Sequence, residues 1–181
     1  LAADGSAALA FTNTQVSAAA GCLSWLFAEW WYQKNPSALG AASGIVSGLV
    51  AITPAAGFVT PQSALVIGFG AGVVCYLAVV MKAKMGYDDS LDAFGVHGVG
   101  GTFGAIATGI FATVNGAGLI AGEPKQLMVQ LIATAATVVY AFVMTYGLVW
   151  ILDKVMGMRV SEDEEQVGLD QVHHGENAYH F

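Results

Sequence analysis

Charge is scarce in this chain. Lys, Arg, Asp and Glu make up 10% of its 181 residues, against roughly 25% in soluble domains. The formal net charge of −7 suits an acidic soluble protein until it is located. Glu162, Asp163, Glu164, Glu165, Asp170 and Glu176 all lie in the last twenty residues, and the rest of the chain is almost neutral. Cations are rarer still, six in all, too few and too scattered to hold nucleic acid. The two cysteines, Cys22 and Cys75, sit far apart inside apolar segments, with no second sulfur or histidine at metal-ligand spacing. They read as small buried packing residues.

What is abundant is apolar surface. Hydrophobic residues reach 56% and mean hydropathy is +0.63, the composition of a membrane protein. Five long apolar stretches are expected as helices. Helix A runs from about Ser6 to Trp31, B from about Ser37 to Val59, and C from about Pro61 to Lys82. D runs from about Ser90 to Val114, and E from about Pro124 to Leu152. Asn35-Pro36, Thr60-Pro61 and Glu123-Pro124 each put a capping-type residue ahead of a first-turn proline. Asp88-Asp89-Ser90 offers a cap without proline. The start has neither a basic region nor a cleavage site, so helix A reads as a span rather than a signal peptide. A first residue of Leu1 rather than Met fits a processed or truncated product.

These stretches predict an all-α polytopic membrane protein: a transmembrane bundle over residues 1–159 and a tail over 160–181. With five alternating spans, Lys34, Lys82, Lys84, Lys154 and Arg159 fall on one side and Lys125 on the other. The positive-inside rule makes the first side cytoplasmic. The N-terminus is then outside and the C-terminus inside a cell membrane, plasma or inner. Trp30, Trp31, Tyr32, Tyr87 and Trp150 gather near the cytoplasmic ends as an aromatic belt.

Glycine is plentiful, and its spacing carries information. Gly40, Gly44 and Gly48 in helix B, Gly68 and Gly72 in C, and Gly100 and Gly104 in D recur every four residues. Such stripes let backbones approach closely in lipid, which suits a compact channel or transporter bundle.

Against this background His97 stands out. Counted from a cap at Asp88 or Asp89, it lies about nine residues into helix D, roughly 13 Å along it and near the middle of a hydrocarbon layer about 30 Å thick. An ionisable group there marks a functional site by default. It either bridges two helices through a hydrogen bond or serves a pore or proton relay. No second ligand stands one turn away, so neither a metal nor a haem site is expected. Asp92, in the first turn of helix D, is read as structural, complementing the helix dipole, and Asp88 as a cap. Most threonines in the spans return their hydroxyl to the preceding turn. Glu29 is either structural or reaches the headgroups. Thr53-Pro54 breaks the ladder late in helix B, and irregular backbone at membrane depth belongs beside protein or a water-filled cavity.

Four segments together resemble the ammonium transporter (Amt/Mep/Rh) family, in its microbial and plant branch. They are Phe11-Thr12-Asn13-Thr14, Thr53-Pro54-Ala55-Ala56-Gly57-Phe58, Asp92-Ala93-Phe94-Gly95-Val96-His97-Gly98, and a tail motif of Gly168-Leu169-Asp170 with His174-Gly175-Glu176-Asn177-Ala178-Tyr179. The resemblance implies an eleven-helix trimer of two inverted five-helix halves, with helices A to E as the seventh to eleventh. It implies a narrow apolar pore between the halves for ammonium or ammonia. His97 would be one of two facing histidines, with Thr53 and Ala93 as pore-lining neighbours. The other histidine belongs to an N-terminal half that this sequence lacks. A truncated chain, a split protein or a numbering artefact would each account for that. The tail residues Gly168, Asp170, His174, Gly175, Glu176 and Tyr179 would couple neighbouring subunits, the alternative being a disordered end. A PII-type signalling protein is an implied partner. The other functions left open are a membrane-embedded ammonium sensor signalling through a cytoplasmic partner, and a half-bundle acting only with a partner chain. No enzymatic activity and no cofactor are expected.

Overall fold

The computed structural model describes residues 3–177, and those residues form helices joined by turns, with no strand among them. Five helices follow the apolar stretches: α1 (Gly5–Gln33), α2 (Ala38–Ile52), α3 (Pro61–Met85), α4 (Val99–Phe111) and α5 (Pro124–Met156). Two short ones, α6 (Glu162–Val167) and α7 (Leu169–His174), lie in the tail. The chain divides into two compact units between Ala135 and Ala136.

Local chemistry starts the helices of the first unit. Asp4 accepts from Ser6 N and Ala7 N at 3.0 Å each, and Ser37 accepts from Gly40 N at 2.8 Å. Thr60 accepts from Ser63 N at 3.4 Å, ahead of Pro61 in the first turn. Each occupies one or two of the four amide donors that a helix start leaves free. Glu29 adds a tertiary cap. Buried near the end of α1, it accepts from Ser37 N at 3.0 Å and Ser37 Oγ at 2.8 Å. It therefore fixes the entry to α2 and does not reach toward headgroups.

The glycine stripes pack α1, α2 and α3 backbone to backbone. A Cβ on Gly68 would lie 2.3 Å from the carbonyl oxygen of Ser17, and one on Gly72 would lie 2.4 Å from that of Gly21. The same holds where α4 meets α2: a Cβ on Gly104 would lie 2.2 Å from Ala51 O. Helices this close gain dispersion contacts and interhelical hydrogen bonds, which drive association where lipid is as apolar as the side chains. Ala51, Ile52, Ala55, Val59, Ala64, Ile67, Ala71 and Ala107 form one core cluster, and Trp25, Cys75, Tyr76 and Val96 another.

Two departures from the expected boundaries shape the site. Helix B ends at Ile52 rather than Val59, because Pro54 cannot donate to the ladder. The chain then runs through turns to Thr60 with Ala55 and Val59 fully buried. Helix D begins at Phe94 rather than Ser90, and its first turn, Phe94–Gly98, is a π-helical one. Among the described residues, three helical segments are long and apolar enough to cross a membrane alone: Pro61–Met85, Phe94–Phe111 and Pro124–Met156. At 15 residues and about 22 Å, α2 is short of a span on its own. α1 is long at 29 residues but carries Asn13, Gln15, Ser17, Ser24 and Glu29.

In the second unit, the rings of Phe142 and Tyr146 stack at 6.3 Å. The tail, one of whose alternatives was a structureless end, is helical over most of its described residues. Ser161 and Glu164 form a reciprocal capping box that starts α6. Gly168, at φ 101°, separates α6 from α7.

Candidate functional site

The residues around His97 are built from the helix start upward. With Ala93 as the residue before this helix, the N–H groups of residues 93–96 have no partner within its first turn. Asp89 takes three of them. Its Oδ1 accepts from Ala93 N at 2.9 Å, and its Oδ2 accepts from Phe94 N at 3.0 Å and Gly95 N at 3.4 Å. The carbonyl of Asp92 takes the fourth, from Val96 N at 2.9 Å. Asp92 adopts a left-handed φ of 56°, and its carboxylate pairs with Lys82 from α3. Lys82 Nζ also donates to the carbonyl of Asp89 at 2.7 Å. Asp89 is thus the side chain seen gripping this helix start, with Asp88 beside it in the loop and Asp92 engaged by the lysine.

Two glycines shape the π turn. A Cβ on Gly95 would lie 2.9 Å from Val79 Cγ2, so its absence lets α3 close on the turn. One on Gly98 would lie 2.8 Å from the Phe94 ring, which folds over it. Such turns concentrate at functional positions.

His97 lies in this turn, four residues into the helix and not nine, since the cap and the helix start are separated by a loop. Its side chain is exposed, as is that of Ala93 one turn before it. Thr53, also exposed, closes α2 and returns its hydroxyl to Leu49 O at 2.7 Å. The π turn packs against both α2 and α3.

The broken end of α2 is held by a residue that sequence reasoning noted but gave no role. Asn13, fully buried in α1, donates through Nδ2 to the carbonyls of Ala56 and Val59 at 2.8 Å each. Thr113 N and Val114 N add bonds to Phe58 O at 2.9 and 3.0 Å. Beside this segment is a cavity of about 230 Å³ whose polar lining comes from Thr108, Asn115, Gln126 and Gln130. The signal for Asn13 was an amide on an apolar helix, but its partners lie more than forty residues away.

In the tail, Asp170 stands in the first turn of α7 and His174 in its last, and Gly175 closes the helix at φ 64°. Glu176 N returns to Asp170 O at 2.9 Å. Gly168 stands between α6 and α7, and Tyr179 lies outside the described residues. Among the described residues, no group of three or more His, Cys, Asp or Glu is gathered to hold a metal.

Long apolar helices packed through glycine stripes define an all-α integral membrane protein. Residues 1–179 match the Ammonium Transporter Family, and the chain belongs to it. It is 50% identical over 182 residues to an ammonium transporter of Bacillus subtilis, covering 97% of this chain and 45% of that one. It is 49% identical to ammonium transporter Amt1 of Archaeoglobus fulgidus, covering 99% of this chain and 46% of the relative. The fold is similar to that of Saccharomyces cerevisiae Mep2, with TM-score 0.82 and 35% identity over 87% of this chain and 38% of the other. A structure described as a sensor Amt protein gives TM-score 0.82 at 28% identity, over 94% of this chain and 42% of that one. The chain spans less than half the length of these relatives.

Proposed function

We propose that this chain supplies one wall of an ammonium-conducting pore, with His97, Ala93 and Thr53 facing the path and a second stretch of polypeptide completing it. What carries the reading is an exposed imidazole in an irregular turn of an apolar bundle, within a chain half identical to a named ammonium transporter. An exposed histidine in such a bundle needs a polar passage or a facing partner, since a lipid-facing one is costly. The family resemblance makes that partner a second histidine from the N-terminal half.

The chemistry follows from solvation. Ammonium is strongly hydrated, and stripping its water in an apolar pore costs several kcal/mol. Releasing a proton before the narrow stretch lets neutral ammonia cross. A neutral imidazole offers one donor and one acceptor, matched to ammonia and able to relay a proton. On this reading residues 1–159 form the membrane bundle, with the N-terminus outside, and residues 160–181 a cytoplasmic tail. The tail residues Gly168, Asp170, His174, Gly175, Glu176 and Tyr179 would couple subunits of a trimer and border the face that a PII-type protein meets.

A second reading, a membrane-embedded ammonium sensor, draws on the similarity to the sensor Amt protein. Flux separates the two. With the complete protein in proteoliposomes, a transporter carries an ammonium-driven current, and His97→Ala changes its size or its selectivity against methylammonium. Saturable ammonium binding without flux would favour the sensor. Wild-type current and selectivity in His97→Ala would remove His97 from the path.

A further inference from the structure

We infer that Lys82 and Asp89 are positioning residues that set the attitude of His97, a role that rests on the pore reading above. Three observations converge on it. First, among the described residues no hydrogen bond holds the imidazole of His97, so its direction is inherited from the backbone of its turn. Second, that turn has the wide π geometry and follows a non-glycine residue at positive φ, Asp92. Neither is a resting preference of the chain, and both persist only where the surroundings over-determine them.

Third, the surroundings that do so are specific. The two carboxylate oxygens of Asp89 take the first three amides of the turn. Lys82, on a different helix, grips the same loop at two points, the Asp89 carbonyl and the Asp92 carboxylate. The ammonium thus lies between the group that caps the turn and the group that starts it. It ties both to the end of α3, whose backbone is locked against α1 by Gly68 and Gly72. Removing the charge frees the loop, lets Asp92 leave its left-handed conformation, and lets the turn relax toward an ordinary α-helical one. That relaxation rotates His97 about the helix axis while the bundle stays packed.

The test uses the complete protein in proteoliposomes, with Lys82→Met and Lys82→Arg made in both the parent and the His97→Ala background. Misplacing a reacting group by about 1 Å costs up to about a hundredfold, so Lys82→Met is expected to lower maximal ammonium flux about tenfold. The half-saturating ammonium concentration stays unchanged. Lys82→Arg keeps a cation in the bracket and should restore flux to within about threefold of the parent. In the His97→Ala background Lys82→Met should add nothing. Asp89→Asn, which keeps the side-chain shape, is the second variant should Lys82→Met not fold, and the same dependence on His97 is expected. An equal proportional loss in both backgrounds, or parental flux in Lys82→Met, overturns the positioning role and leaves the pore reading standing. Parental flux and selectivity in His97→Ala overturn both.

Discussion

Ser17 and Gly48 hold α1 against α2 at backbone distance. Ser17 Oγ donates to the Gly48 carbonyl at 2.8 Å, and a Cβ on Gly48 would lie 2.2 Å from the Ser17 carbonyl oxygen. Each residue serves the other: the glycine leaves room for the approach, and the serine turns the approach into a hydrogen bond.

Gly48→Ala should therefore destabilise the bundle by about 1–3 kcal/mol, the range for overpacking a close contact. The neighbouring atoms are backbone and cannot swing aside. Thermal unfolding in detergent, followed by tryptophan fluorescence, measures it. An unchanged midpoint would mean the two helices separate freely.

Asn13 clamps the unwound end of α2. Asn13→Ala leaves the carbonyls of Ala56 and Val59 without their amide donor in a buried position, at about 1–3 kcal/mol for each such group. Hydrogen exchange should speed up at Thr113 and Val114, whose amides bond Phe58 in the same segment, while α3 keeps its protection. Uniform loss of protection would show that Asn13 supports the whole bundle instead.

The tail gives a pH prediction. The backbone N–H of Ser161, and then its hydroxyl, hold the Glu164 carboxyl below its usual range. A value lowered by folding contributes stability that is complete above the unfolded carboxylate value of about 4.3. That contribution disappears as pH falls through the lower, folded value. Amide protection of α6 should thus fade on acidification below about pH 4, and Ser161→Ala should flatten the response. A protection profile unchanged by acidification would remove Glu164 from this role.

Composition and spacing were enough to mark five helices, the Thr60 cap and the small-residue stripes, but not the caps at Asp4 and at Ser37, the latter two residues past the expected Asn35. Those features follow from local propensity, period and burial, which each stretch of chain carries with it. The stop at Thr53-Pro54 was also visible, because proline breaks the ladder wherever it falls. How far the break extends was not. It is set by Asn13 reaching across from α1, a contact between residues 13 and 59.

The start of the His97 helix shows the same division. Asp88, Asp89 and Asp92 are equivalent as helix-start carboxylates on paper. Which one caps, which one pairs and where the π turn forms depend on Lys82 arriving from α3. His97 itself announced a functional position through its chemistry alone, an ionisable ring in an apolar run. Its exposure and its turn came from the packing of three helices. Sequence determines what each segment prefers by itself, and only the fold decides which donors and acceptors meet, because a hydrogen bond is satisfied by proximity in space whatever the separation along the chain.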